Sequence, residues 1–145
     1  LDGVYKLAYF NGEPRVKISE SLAKVTIPHK KQVFRLNNSY GELIGADAVC
    51  VREETSIEKI FDPREPLKSM EVSDYKLEPL LQEVMRNGKK TIPTRSLSEI
   101  AAYSKERLAA LPIEYKRFYY PHIYKVGIST KLKSEREELL FKYKK

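Results

Sequence analysis

The densest concentration of residues that could do chemistry is a group of cations near the start of the chain. Between Gly3 and Leu36, lysines and arginines recur with few acids among them, namely Lys6, Arg15, Lys17, Lys24, Lys30, Lys31 and Arg35. An array of such cations offsets the charge of a phosphorylated ligand through charge-assisted hydrogen bonds. The same side chains could equally form the solvated face of a strand, so the residues themselves leave both interpretations open.

No other group of residues predicts a catalytic or metal-binding site. The two histidines, His29 and His122, lie far apart in the sequence, and neither has Cys, His or Asp nearby at a spacing typical of metal ligands. Cys50 lies in an apolar run, which predicts a buried structural thiol. The glycines Gly41, Gly45 and Gly127 are isolated, so no phosphate-binding loop is indicated. We therefore expect no catalytic residue and no metal ligand in this chain.

The composition restricts the class of protein. The 145 residues are 41% hydrophobic and 32% charged, which is typical of one soluble globular domain. The formal net charge of +7 favours anionic partners, such as nucleic acid or phosphorylated small molecules. One cysteine permits no internal disulfide and favours a reducing, cytoplasmic location. No apolar run approaches the roughly 18 residues that cross a bilayer, so we expect no membrane partner.

Alternation of apolar and polar residues predicts that strands position the cations. The pattern indicates strands at 4–10, 15–19, 25–27, 31–36, 43–52 and 67–72. Asn11-Gly12 is a strong signal for a two-residue hairpin turn, because both residues tolerate positive φ. In the strand that follows, Val16 and Ile18 would face the core, while Arg15 and Lys17 would form a basic face.

The second half of the chain has a helical pattern. Residues 76–85 are predicted to form a helix that ends at Asn87-Gly88. Ser96 and Glu99 have the spacing of a capping box, which begins a helix. Its apolar stripe would consist of Leu97, Ile100, Ala101, Leu108 and Leu111. A short helix over 112–120 and an amphipathic helix that Ser129 begins would follow.

These elements together predict an α+β fold. We expect a single domain over residues 1–145, with an antiparallel, β-rich first half (1–75) and a second half (76–145) of mostly amphipathic helices. The chain begins with Leu1 rather than Met, directly in a strand-like pattern, which suggests a piece of a longer protein.

Five segments follow one another in an order and at spacings that are specific to one family. They are Gly3-Val4-Tyr5-Lys6-Leu7, then Pro14-Arg15-Val16-Lys17-Ile18-Ser19-Glu20, then Lys24-Val25-Thr26-Ile27-Pro28 with Lys30-Lys31-Gln32, then Val84-Met85-Arg86-Asn87-Gly88-Lys89, and finally Pro121-His122 with Tyr124-Lys125-Val126-Gly127-Ile128-Ser129. Over essentially all 145 residues, the chain resembles the C-terminal part of nicotinate phosphoribosyltransferase. It departs from the family's pattern at Asp2 and His29, where the family usually or often has Gly.

The resemblance implies an activity for a longer protein. The family forms nicotinate mononucleotide from nicotinate and phosphoribosyl pyrophosphate in NAD biosynthesis, with coupled ATP hydrolysis, so ATP and Mg²⁺ are implied for the parent enzyme. Its catalytic histidine and its phosphate loop lie on an upstream barrel, and neither His29 nor His122 matches the motif of that histidine. We therefore expect the isolated chain to be inactive and to bind no cofactor by itself. The implied partners are the upstream barrel and, because the family is commonly dimeric, a second subunit.

The resemblance also implies a role for the basic segment, which would line the phosphate side of the complete active site. Lys6, Lys17 and Lys24 are our candidates for contacts with substrate phosphates. Lys6 has apolar neighbours, and a cation in such a place is costly unless it meets an anion. Lys17 follows by alternation on the polar face, and Lys24 flanks the next turn.

Two other functions are compatible with the sequence: a basic nucleic-acid-binding module, and a purely structural or assembly domain. The charge of +7 and the ten tyrosines favour the nucleic-acid module, with Tyr5, Tyr9 and Phe34 as potential stacking platforms. The absence of an RNP, helix-turn-helix or zinc pattern argues against it. The terminal helices could serve subunit assembly, which would make the chain an interaction domain.

Overall fold

The computed structural model describes residues 5–19, 25–65 and 67–143. A turn at Asn11-Gly12 joins the first two strands, β1 (Tyr9–Phe10) and β2 (Glu13–Pro14). Both turn residues have positive φ, 51° and 79°, as a two-residue hairpin requires. The predicted turn is therefore confirmed, although its strands are shorter than the alternation indicated, since residues 5–8 and 15–19 are not part of a strand.

The central strands are β3 (Lys31–Asn37) and β4 (Leu43–Val51), which pair antiparallel as the sequence predicts. Asn38 shapes the turn between them, because its side-chain oxygen accepts hydrogen bonds from the backbone N–H groups of Tyr40 and Glu42 at 3.0 and 2.9 Å. Strand β4 lies at the centre of the main sheet and has more buried residues than any other described element.

Four further strands extend this pair to a six-stranded sheet, and the other elements that follow are a small hairpin, two helices and a 3-10 helix. In chain order they are β5 (Lys59–Phe61), β6 (Ser69–Glu71), β7 (Lys76–Pro79), β8 (Met85–Arg86), β9 (Lys89–Lys90), α1 (Leu97–Ala109), a 3-10 helix (Ile113–Tyr115), β10 (Lys125–Ser129) and α2 (Thr130–Tyr143). The sheet order is β6-β5-β10-β4-β3-β7, and β10 runs parallel to β4 and antiparallel to β5. The predicted α+β class is confirmed.

Buried residues lie on both faces of β4, because its side chains alternate. Ala46, Ala48 and Cys50 join one cluster together with Leu36, Ile57, Ile60 and Val72. Val51 belongs to a second cluster with Ile128 and Leu132, where α2 packs on the sheet. Cys50 is completely buried, as predicted, and burial raises the pKa of its thiol to about 11.

Both helices begin where the sequence indicates. At α1 the Ser96 backbone N–H donates to the Glu99 carboxylate at 2.7 Å and the Glu99 N–H donates to Ser96 Oγ at 3.3 Å, so the capping box is formed. At α2 the N–H of Leu132 donates to Ser129 Oγ at 3.2 Å. The two helices differ in packing, since α2 buries Leu132 and Arg136 whereas α1 buries no residue.

The predicted helix at 76–85 is wrong. Residues Lys76–Pro79 form β7, which pairs with β3 and places Leu77 opposite Leu36. The ladder of β3 had an open edge that this segment satisfies, so tertiary pairing outweighs the local helical pattern. Asn87-Gly88 does not end a helix but turns the β8–β9 hairpin, with φ of 50° and 74°.

Other local predictions are also corrected. Residues 25–27 form no paired strand, although Val25 and Thr26 are buried. The helix expected over 112–120 is reduced to the 3-10 turn at Ile113–Tyr115. The described part of the second half, 76–143, contains the two helices but also four strands, and β10 was not predicted at all. The strand expected at 67–72 is present as β6.

The described residues show neither a membrane segment nor a metal cluster. No helix among them is long and apolar enough to cross a bilayer. Within the same part of the chain, no three His, Cys, Asp or Glu side chains are grouped so that they could hold a metal ion.

Candidate anion-binding site

A basic pocket lies where the N-terminal segment meets the start of β3, the loop after β5 and helix α2. Its volume is about 440 Å³. Of the described residues that line it, four are cations and none is acidic; they are Lys6, Ala8, Val25, Thr26, Ile27, Lys31, Pro63, Arg64 and Arg136. A concave site with one sign of charge concentrates ligands of the opposite sign, so this pocket suits an anion.

Arg136 is the most deeply placed of these cations. It is only 8% exposed, and its Nη1 donates to the carbonyl oxygen of Pro63 at 3.2 Å. Its buried Nε–H has no hydrogen-bond partner among the described residues. Burial lowers the pKa of the guanidinium, because removing a cation from water disfavours its charged form. An unsatisfied buried donor costs free energy, and a bound anion would supply the missing acceptor.

Lys31 holds the turn that forms one wall of the pocket. Its Nζ donates to the carbonyl oxygens of Ile27, Pro28 and His29 at 2.9, 3.0 and 2.7 Å. These three bonds stabilise a turn in which His29 has a φ of 74°. Burial lowers the pKa of Lys31. Because all three of its donors are used, Lys31 contributes positive charge to the pocket rather than a free hydrogen bond.

The predicted phosphate candidates are only partly brought together. Lys6 lines the pocket and is exposed, while the side chain of Lys17 is exposed outside the lining. The backbone N–H of Lys17 donates to Oγ1 of Thr26 at 2.7 Å. Because Thr26 lines the pocket, this bond holds the backbone of Lys17 next to the pocket. Lys24 lies outside the described residues.

The physical reason for choosing Lys6 needs correction. Its apolar neighbours Tyr5 and Leu7 are themselves 85% and 43% exposed, so Lys6 carries no cost of burial in this chain. Its place at the pocket, rather than an apolar environment, is what supports its selection. Arg15, on the same predicted basic face, forms a 2.9 Å ion pair with Glu13.

Both histidines have structural surroundings. The imidazole of His29 pairs with the carboxylate of Glu135 on α2, and its backbone N–H donates to the carbonyl of Ala8 at 2.8 Å. His122 packs edge-on against the ring of Tyr115, with centroids 5.8 Å apart. These contacts tie separate segments to the sheet and place neither ring in the basic pocket.

A second pocket, of about 770 Å³, lies between the β3–β4 turn, β7 and the end of α1. Its charged lining residues have both signs, and Arg107 and Glu78 pair with each other at 2.9 Å. The carboxylate of Glu78 also accepts from the Asn37 amide at 3.4 Å. Since these charges neutralise one another, this pocket is less suited to an anion than the basic pocket.

Comparison with known proteins decides the family. Residues 30–136 match the family model described as the nicotinate phosphoribosyltransferase C-terminal domain. The chain belongs to the nicotinate phosphoribosyltransferase family. The resemblance carried by the five segments is thereby confirmed, and Lys31, Arg64 and Arg136 of the basic pocket lie within the matched region.

Individual relatives agree with this family. The chain is similar to nicotinate phosphoribosyltransferase from Bos taurus, with 34% identity over 135 residues that cover 90% of this chain and 25% of the relative. The relative from Homo sapiens is 33% identical over 141 residues, covering 92% of this chain and 26% of the relative. The crystal structure of human nicotinic acid phosphoribosyltransferase superposes with a TM-score of 0.72 at 29% identity, covering 94% of this chain and 26% of that chain. The chain thus spans about a quarter of the length of these nicotinate phosphoribosyltransferases.

The nucleic-acid alternative is not favoured. Of the three aromatic side chains it would use, Phe34 packs against the core cluster and Tyr9 contacts His29 and Lys30. Tyr5 is exposed, but a single ring offers one stacking position rather than a platform for successive bases.

Of the four cations that line the basic pocket, sequence reasoning selected only Lys6 as a candidate for phosphate contact. Lys31 was noted only as part of the basic segment, and Arg64 and Arg136 belong to distant parts of the chain. One signal was available for Arg136, which lies four residues after Leu132 and therefore on the apolar stripe of α2. An arginine at a core position of an amphipathic helix predicts either an ion pair or an anion.

Proposed function

We propose that this chain is the C-terminal part of a nicotinate phosphoribosyltransferase, and that its basic pocket binds a phosphate group of a substrate. The complete enzyme, meaning this chain joined to the upstream part, would make nicotinate mononucleotide from nicotinate and phosphoribosyl pyrophosphate with ATP hydrolysis. It would work in the cytoplasm as a homodimer. The family, shown by the match over 30–136, supports the activity.

The unpartnered Nε–H of Arg136 is the observation that most directly supports a role of the pocket in phosphate binding. This donor belongs to a pocket that Lys6, Lys31 and Arg64 also line and to which the described part of the chain contributes no carboxylate. A phosphate oxygen there would satisfy the donor and neutralise the charge, whereas a neutral ligand would leave the cations unbalanced.

The chemistry of the reaction explains why such a pocket is useful. Displacement of pyrophosphate from the ribose carbon increases negative charge on the leaving group, and cations that are already in place stabilise it without reorganisation. Arg136 is fixed by the Pro63 carbonyl and by burial, so it would supply a rigid donor. Lys6 is exposed and adaptable, so it would close on the phosphate after binding.

The Mg²⁺ that the family implies has no ligand set among the described residues of this chain. No step proposed here depends on that ion. The contribution of this chain is positive charge and hydrogen-bond donors for phosphate oxygens.

The test replaces single cations in the complete enzyme. We expect Arg136→Met and Lys6→Ala each to weaken the use of phosphoribosyl pyrophosphate or ATP by about tenfold or more, since both residues line the pocket and a charge-assisted hydrogen bond contributes roughly 1.5–3 kcal/mol. The KM for nicotinate should change much less. Steady-state kinetics with each substrate varied in turn gives these values.

Lys68→Ala is the matched control, because Lys68 is exposed and does not line the pocket. It should leave all three substrates unaffected. If Arg136→Met and Lys6→Ala also retain the original kinetics, the basic pocket is a solvated surface and its proposed role is wrong.

A further inference from the structure

Helix α1 presents its apolar stripe to solvent. Leu97, Ile100 and Leu108 are 85%, 50% and 60% exposed, and no residue of the helix is buried. The ion pair between Arg107 and Glu78 connects the helix to the sheet. A 13-residue helix is marginally stable in water without packing. An amphipathic helix with an uncovered stripe therefore indicates a missing partner surface.

The segment after α1 adds exposed aromatic side chains. Phe118, Tyr119, Tyr120 and Ile123 are 89%, 76%, 93% and 89% exposed. The rings of Phe118 and Tyr119 pack edge to face, with centroids 5.0 Å apart. The three aromatic side chains would bury about 500 Å² on a partner. An apolar surface of this size matches the largest apolar patch of a typical monomer, and such patches are often binding sites.

The base of this segment is fixed to the sheet, so its aromatic side chains are held outward. The hydroxyl of Tyr115 donates to the carbonyl of Gly45 at 3.1 Å, and that of Tyr124 donates to the carboxylate of Asp47 at 2.8 Å. The backbone N–H of His122 donates to the carbonyl of Glu114 at 3.0 Å, which closes the loop between these anchors. An apolar loop held at both ends is prepared for docking, because little order has to be gained on binding.

We propose that residues 97–123, which we call the docking segment, bind the part of the enzyme that lies outside this chain. This proposal rests on the proposed function, because it takes the chain as the C-terminal part of a complete nicotinate phosphoribosyltransferase. About three quarters of the length of the relatives lies outside the region that this chain matches, so a large additional surface is available.

A covalently joined partner suits this surface better than a second copy. The stripe of α1 needs cover whenever the helix is folded, and a linked domain provides it at an effective concentration in the millimolar range. A second copy would cover it only at concentrations at which the protein associates. The partner surface should be apolar at its centre, because it would cover exposed apolar side chains such as Leu97, Leu108 and Phe118.

Two Phe→Glu substitutions form a matched test in the complete enzyme. Phe118 and Phe141 are equally exposed in this chain, at 89% and 87%, but Phe141 lies on α2 outside the docking segment. We expect Phe118→Glu to lower the Tm of the complete enzyme by about 5 °C or more, because a carboxylate would be buried at the interface. Phe141→Glu should change it by less than about 2 °C.

The same two substitutions in the isolated 145-residue chain show whether the change in Tm arises within this chain or at its contact with the rest of the enzyme. Both substitutions should leave the Tm of the isolated chain nearly unchanged, because both rings are exposed there. Equal Tm shifts for the two variants in the complete enzyme, or an equal loss for Phe118→Glu in the isolated chain, would overturn the proposal.

Hydroxyl-radical footprinting measures the solvent accessibility of the docking segment in the complete enzyme without any substitution, so it does not require that a variant folds. Phe118, Tyr119 and Tyr120 should be oxidised at least tenfold more slowly than in the urea-unfolded enzyme, at every protein concentration. Rapid oxidation would overturn the proposal. Protection that disappears when the enzyme is diluted to monomers would also overturn it, because the occupant would then be a second copy. Neither Tm nor oxidation rate depends on phosphate binding. Failure of the basic pocket to bind phosphate and failure of the docking segment to be covered are therefore distinguishable outcomes.

Discussion

At the scale of single residues, Gly45 decides how the chain after α1 meets the sheet. It lies in β4 with a φ of 73°, and a Cβ atom added there would lie 2.2 Å from ring carbons of Tyr115. We expect Gly45→Ala to lower the free energy of unfolding of the chain by about 3 kcal/mol. Of this, about 1–2 kcal/mol comes from the left-handed backbone, and the rest comes from displacement of the Tyr115 ring. Urea denaturation measures the change.

Gly41→Ala separates the two contributions. Gly41 has a similar φ of 84°, but a Cβ atom there would meet no atom within 4 Å, so only the backbone contribution applies. Its loss should be about 1–2 kcal/mol. Equal losses for the two alanine variants would show that Tyr115 does not pack against Gly45. If Tyr115 does pack against Gly45, the double variant Gly45→Ala/Tyr115→Ala should lose less free energy of unfolding than the sum of the losses of the two single variants.

At the scale of elements, the two helices should respond differently to the same substitution. Leu132 of α2 is completely buried against the sheet, whereas Leu108 of α1 is 60% exposed. In the isolated chain, Leu132→Ala should lower the free energy of unfolding by about 3 kcal/mol through lost burial and a residual cavity. Leu108→Ala should lower it by less than about 1 kcal/mol. Chemical denaturation of both variants tests this difference.

The comparison also bears on the docking segment. A cost for Leu108→Ala as large as that for Leu132→Ala would mean that α1 is already packed within this chain. The helix would then need no partner from outside it. If α1 docks on the upstream part as proposed, Leu108→Ala should cost more in the complete enzyme than in the isolated chain.

At the scale of the whole molecule, we expect the isolated 145-residue chain to lack transferase activity. Its basic pocket offers cations for phosphates, but catalysis requires nicotinate, the ribose carbon and the leaving group to be held together. Incubation with nicotinate, phosphoribosyl pyrophosphate, ATP and Mg²⁺ should yield no nicotinate mononucleotide, as measured by chromatography. The complete enzyme at the same concentration serves as the positive control.

Inactivity is informative only if the isolated chain is folded. A cooperative thermal transition followed by circular dichroism would establish this before the assay. Turnover by the folded chain, in proportion to its concentration, would contradict the prediction and would require a catalytic group within these 145 residues.

Features that depend on neighbours in the sequence could be predicted from the sequence by itself. The Asn11-Gly12 turn and the capping box of Ser96 and Glu99 depend on contacts within a few residues, so composition and spacing were enough. A short turn joins β3 and β4, and the alternation of apolar and polar residues along both strands was enough to predict their pairing. The family was visible from the order of the five segments.

Features that depend on distant residues were decided only by the tertiary structure. Residues 76–79 became β7 because the open edge of β3 offered backbone hydrogen bonds that a local helical pattern could not reveal. β10 lies between β4 and β5, which are far from it in the sequence. The basic pocket combines Lys6, Arg64 and Arg136 in the same way. Periodicity reports which face of an element is apolar, but what covers that face depends on the rest of the folded chain, and for this reason the exposure of α1 could not be foreseen.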